Sequence, residues 1–326
     1  MRVWSLAAVV ALGFVTAAQA VPLDPKFVPA GATWVAHVDV DAVRACTVTQ
    51  KAYDQCLEKH KDAVEKGIAT VREKLGMDPR TDLHGITLYG PKIGQHKGVM
   101  IVQADVDQKL LTERVKKAQD YKSTKYGSYD ISSWTAKGKM GQHPAAGAFW
   151  KPGVTVLGDS PESVQFALDV LDGKKPSMAK GSPLVADLPA GATVVVRATG
   201  IAEAQLPGRS PLPKQIESLC FAMGEYQGTS FLNAKVVTKT PETADQIKKI
   251  IEGGKAMAQL QHGGDADAAK MIDQLKVSVS DKTVAVDFHA PAADVWTHLQ
   301  KVVKHIKEMH QQGKTPWGGK PAPEKK

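Results

Sequence analysis

The strongest constraint on this chain is an internal echo. Pro29-Ala30-Gly31-Ala32-Thr33 returns as Pro189-Ala190-Gly191-Ala192-Thr193, in a chain of 326 residues. In each copy a Pro-Gly turn feeds an apolar run, Trp34-Val35-Ala36 or Val194-Val195-Val196, that reads as a buried strand. Five identical residues in an Ala- and Gly-rich chain decide little alone, so the segments that follow carry the weight. Both halves close alike, with a hairpin, a proline at a helix start and an amphipathic helix. In the first half, residues 146–157 turn at Lys151-Pro152-Gly153, and Ser160-Pro161-Glu162 opens a helix with Val164, Ala167, Leu168 and Leu171 inward. In the second, residues 276–279 and 283–288 turn at Ser280-Asp281. Pro291 then opens a helix striped by Val295, Leu299, Val302, Ile306 and Met309.

The segments between alternate in period. Leu57, Val64, Ile68, Val71 and Leu75 predict a helix capped by Gly76, and a further helix is expected over 108–119. Strands are expected at 86–89, 99–102, 129–134 and 231–238, and helices from Pro241 and over 268–275. This pattern predicts an α+β fold of two related halves, 21–180 and 181–311, each an antiparallel sheet with packed helices and together the product of an internal duplication. A Pro-, Gly- and Lys-rich linker is expected at 174–188. Residues 312–326 are too polar to join a core and predict a disordered basic tail.

Arg2, an apolar run over 3–15 and the small-x-small Ala18-Gln19-Ala20 predict a signal peptide over 1–20, cleaved after Ala20. Val21 rather than Cys follows, so a lipid anchor is not indicated. The apolar run is shorter than the ~20 residues that span a bilayer, and no later stretch qualifies, so no transmembrane segment is expected after signal removal. The expected location is periplasmic or secreted. The net charge of +8 suits an acidic envelope polymer or a protein partner, while export argues against nucleic acid, NAD or ATP. Export also permits disulfides, and of three cysteines Cys46 and Cys56 are neighbours in sequence. Ten helical residues would hold their Cα atoms ~15 Å apart, so a Cys46–Cys56 disulfide requires a break in 41–56 and a helix starting at 51–55. The alternative is two small thiols that never meet, with Cys220 free in either case.

No catalytic, metal or cofactor-binding residues are predicted. Val156-Leu157-Gly158-Asp159-Ser160 resembles the first block of the GDSL-type esterases, but no Asp has a His three residues on, and Pro161 makes Ser160 a helix cap. His298 and His305 are seven apart, too far for a ligand pair within one turn, and no phosphate-binding glycine loop occurs. A candidate binding surface gathers Lys109, Arg114, Lys116 and Lys117 with Tyr126, Tyr129 and Trp134, basic groups for an acidic polymer and rings for stacking.

Gly76-Met77-Asp78-Pro79-Arg80-Thr81-Asp82-Leu83-His84-Gly85-Ile86-Thr87-Leu88-Tyr89-Gly90, with Trp34-Val35-Ala36-His37-Val38-Asp39, resembles a group of secreted bacterial proteins of uncharacterised function. The resemblance covers mainly 29–173 and implies export, with no activity to transfer. The motif itself reads as an Asp-Pro turn that Asp82 holds through backbone N–H groups, with Arg80 alongside. The expected function is a non-enzymatic exported protein that binds a partner or acidic envelope component. The alternative is a periplasmic hydrolase with a site between the halves, signalled by His37, His84 or carboxylates converging in a pocket.

Overall fold

The computed structural model describes residues 21–93, 98–138, 141–179, 181–186, 188–204, 211–262 and 264–311. The expected signal peptide and tail lie outside them. The fold is α+β, with a single antiparallel sheet in the order β11-β12-β10-β9-β8-β1-β2-β3-β7-β6-β5-β4. Its strands are β1 Trp34–Asp39, β2 Leu83–Gly90, β3 Val99–Ala104, β4 Gln119–Tyr126, β5 Tyr129–Gly138, β6 Gly141–Lys151, β7 Val154–Gly158, β8 Ala192–Thr199, β9 Ile216–Tyr226, β10 Thr229–Thr238, β11 Lys276–Ser280 and β12 Thr283–Pro291. Seven helices are described: α1 Val40–Ala45, α2 Thr47–Leu75, α3 Gln108–Val115, α4 Pro161–Leu171, α5 Pro241–His262, α6 Ala266–Asp273 and α7 Ala292–Gln311.

The halves do not form separate sheets. The strands that follow the two Pro-Gly turns pair with each other, Trp34 opposite Ala198 and Val38 opposite Val194. Trp34, Ala36 and Val38 of β1 and Val194, Val196 and Ala198 of β8 make one continuous apolar face across the seam, so each strand would be an exposed, sticky edge without the other. Outward from this seam the order β1-β2-β3-β7-β6 matches β8-β9-β10-β12-β11. The helices do not follow the match. Val35, Ile101, Val156 and Ile131 share one face with α4. Val236 and Val284, which pack on α5, lie on the face that carries Trp34. A two-fold axis relating antiparallel β1 and β8 would keep both helices on one face, so the expected internal duplication does not appear as a two-fold repeat: strand order agrees across the seam and helix packing does not.

The expected linker is instead part of the main core. Met178, Leu184 and Val185 pack with Val28, Val35, Ile101 and Leu168. The Met178 N–H donates to the Val28 carbonyl at 2.7 Å, and Arg197 reaches back to the Pro183 carbonyl at 3.0 Å. The predicted helix over 108–119 stops at Val115, and residues from Gln119 form β4, whose polar sequence gives no alternation to read. β4 is an edge strand, where Lys122 and Lys125 discourage further pairing.

The Cys46–Cys56 disulfide is absent, and all three cysteines are free. The break falls at Cys46 itself (φ −66°, ψ 132°), and α2 starts at Thr47 rather than at 51–55. Cys56 is therefore nine helical residues from Thr47, leaving the two Cα atoms about 15 Å apart, beyond the ~7 Å limit of a bridge. The Cys46 thiol donates to the Ala42 carbonyl at 3.3 Å. Cys56 packs with Tyr53, Val64 and Ile68 across a bend at His60, where the backbone leaves helical geometry.

Candidate functional site

At one end of the first-half strands lies a cleft of about 360 Å³. The first Pro-Gly turn supplies Pro29, Gly31 and Ala32, β2 and β3 supply Tyr89, Gly90 and Val99, and α4 supplies Ser160, Ser163 and Phe166, with Asp159 at its approach. Most of the lining is carbon, as in ligand pockets that span roughly 300–1,000 Å³. Gly31 leaves its side open, because a Cβ there would meet nothing within 4 Å. The second Pro-Gly turn has no such space: Gly191 sits at φ +75°, and a Cβ on it would strike the Glu225 carbonyl at 2.2 Å. The same five residues thus build an open wall once and a close backbone contact once.

Tyr89 is the buried tyrosine of the cleft wall. The residue is 3% exposed, and its hydroxyl, closed to solvent, has no hydrogen-bond partner among the described residues. Burial pushes the phenol well above its ordinary value, so it stays a neutral donor at any working pH. A buried donor left unpaired costs up to about 1–3 kcal/mol.

Ser160 is a cap. Its Oγ accepts the Ser163 N–H at 3.3 Å, and the Ser163 hydroxyl accepts the Ser160 N–H at 3.3 Å while donating to the Ser160 carbonyl at 2.8 Å. This reciprocal box starts α4 and leaves Ser160 without a base.

The opposite end of the strands is polar. Asp41 is buried and bonded to the Arg44 guanidinium, which also donates to the carbonyls of Arg80 at 2.8 Å and Leu83 at 2.5 Å. His84 Nδ1 lies 3.0 Å from Asp41 Oδ2, and its Nε2 lies 3.5 Å from Asp105. No hydroxyl or thiol among the described residues is bonded to His84. The adjoining loop is stapled as the sequence suggests. Asp82 accepts the Asp78 N–H at 2.7 Å, while Asp78 accepts the Arg80 N–H at 2.9 Å and pairs with Arg80 and Arg72.

His37 is buried on the cleft face of β1 but belongs to a different network. Its Nε2 is 2.8 Å from the Val21 carbonyl and its Nδ1 is 2.9 Å from the Thr87 hydroxyl. A carbonyl only accepts, so Nε2 carries the proton and Nδ1 takes the one from Thr87. Burial lowers its pKa, which keeps the ring neutral. His37 and His84 do not converge on the cleft, and the cleft is lined by first-half residues rather than lying between the halves.

The predicted binding surface is not one surface. The Tyr126 hydroxyl donates to Asp169 at 2.9 Å and that of Tyr129 to Asp172 at 2.7 Å, both on the α4 side of the sheet. Trp134 differs from buried Ile131 by an odd number of strand positions, so it stands on the other face, near Gly147 and Leu157. At the end of α3, Lys116 pairs with Glu113 at 2.8 Å and Arg114 donates to the Glu73 carbonyl at 2.8 Å. Lys109 is exposed, as is Lys117 just beyond the helix, and neither has an ion-pair partner among the described residues. Among the described residues no three His, Cys, Asp or Glu side chains gather as a metal site requires, and no helix is long and apolar enough to cross a membrane. Sequence reasoning missed the cleft, though the first Pro-Gly repeat and the Tyr89-Gly90-Pro91 turn were the signals that touch it.

No family model matches the chain, and no curated protein sequence does either. Among solved structures the chain is similar to TP0453. Crystal form I gives a TM-score of 0.44 at 8% identity over 87% of this chain and 98% of that one. Form III gives 0.43 at 9% over 84% and 97%, and form IV gives 0.43 at 9% over 86% and 97%. A likeness this distant transfers nothing about activity.

Proposed function

We propose that this is an exported, non-enzymatic binding protein that takes a small, neutral, mostly apolar ligand into the cleft beside α4. The observation that carries the reading is the cleft itself, about 360 Å³, lined mostly by carbon and open beside Gly31. Asp159 at the approach disfavours an anionic head group, so the ligand differs in kind from an acidic envelope polymer. Lys109 and Lys117 remain the groups for such a polymer, but the pairing of Lys116 and Arg114 gives that reading less support. The hydrolase alternative has less still, since the Asp41–His84 pair lies at the far end of the strands and has no bonded nucleophile. Titration with a neutral apolar fluorophore such as N-phenyl-1-naphthylamine tests the reading. Saturable binding that Gly31→Leu weakens supports it, and binding unchanged by that substitution counts against it.

A further inference from the structure

We infer that Asp39 is the receptor for the α-ammonium group created at Val21 when the chain is cut after Ala20, so that processing completes a buried ion pair. The inference is independent of the cleft and rests on the expected cleavage site. Asp39 is 2% exposed. Its carboxylate accepts the Ala42 N–H at 2.8 Å, which caps α1, and also accepts the Val21 N–H. The ionisable side chains beside it are the neutral His37 and the acidic Asp41, and no Lys or Arg among the described residues pairs with it. Burial accordingly raises its pKa, as expected of a carboxylate that has lost water without gaining a cation.

Val21 is held so that its nitrogen stays on this carboxylate. Its carbonyl takes the His37 Nε2 proton at 2.8 Å. Its side chain lies over Gly85, with Cγ1 3.5 Å from where a Cβ would stand, and Leu23, two residues on, is buried in the main core. An amide at position 21 offers one N–H and no charge. The ammonium of a chain beginning at Val21 offers three N–H groups and the missing positive charge, without moving the backbone.

The test compares two chains released from a removable fusion, one beginning at Val21 and the other at Ala20, each with Asp39 and with Asp39→Asn. Asn also caps helices, so the substitution keeps the start of α1. The Val21 chain is expected to melt higher by about 3 °C or more, and the difference should vanish in Asp39→Asn. Its α-amine should also be acylated several-fold more slowly at neutral pH than that of the Asp39→Asn chain. Equal melting of the two starts with equal amine reactivity would overturn the inference, and if Asp39→Asn does not fold, the two wild-type starts decide it alone. The intact mass of the exported protein tests the cleavage separately. A mature start other than Val21 would overturn the link to processing even if the Val21 chain proved the more stable.

Discussion

Single residues show how differently burial acts on groups of the same type. Partial burial would raise the Asp78 carboxyl, but hydrogen bonds from Arg80 and Arg72 outweigh it and hold the group at about 2, below its ordinary 3.8. A depressed carboxyl stabilises the fold above its unfolded value and loses that contribution as pH falls through the folded one. Urea midpoints should therefore drop between pH ~4 and ~2, and Asp78→Asn should flatten that part of the profile. A variant profile as steep as the wild type would show that other carboxylates carry the effect. His37 acts with the same sign at higher pH: its lowered pKa favours the neutral ring, so stability falls as pH drops below the ordinary value of 6.5. Tyr89 is a third case. Tyr89→Phe removes an unpaired buried hydroxyl without changing shape, so the free protein should gain up to about 1 kcal/mol or stay neutral by denaturant unfolding. A loss above that range would mean that the hydroxyl has a partner. The Asp-Pro turn was legible because its bonds are local. Tyr89 was not, because whether a tyrosine finds a partner depends on strands and a helix distant in sequence.

Elements with their own start and stop signals were the legible ones. Ser160-Pro161 places the start of α4, and Ser160→Ala should cost about 1 kcal/mol by equilibrium unfolding, since it removes one side of the capping box. A cost near zero would mean that packing alone holds the helix end. The start of α2 differs from the expected 51–55 because that expectation follows from a disulfide the fold does not contain. Cys46, as the break between α1 and α2, leaves nine helical residues before Cys56 and no room for a bridge. Denatured, unreduced protein should yield three reactive thiols, whereas one would restore the bridge. In the folded protein Cys46 should be the slow one, because burial and the nearby Glu225 push its thiol up to about 12. The polar strand β4 escaped notice for the opposite reason: an edge strand exposed on both faces needs no alternation, and its pairing with β5 supplies what its sequence does not.

At the scale of the molecule, one sheet of twelve strands joins what the sequence presents as two halves, because two apolar strands could not both remain edges. The echo in sequence marks the two strands that meet at the seam. It does not foresee that α4 and α5 choose opposite faces, which depends on how each closing segment packs rather than on any residue in the repeat. That choice leaves the first Pro-Gly turn beside α4 with an open wall at Gly31, while its counterpart at Gly191 is closed by Glu225. The central claim is that this opening holds a neutral apolar ligand against Tyr89. Fluorescence titration of N-phenyl-1-naphthylamine into the wild type and Gly31→Leu, with unfolding curves to show both intact, tests it most directly. Filling the wall should leave stability unchanged and weaken binding by about tenfold or more; equal affinity in two equally stable proteins would contradict the claim.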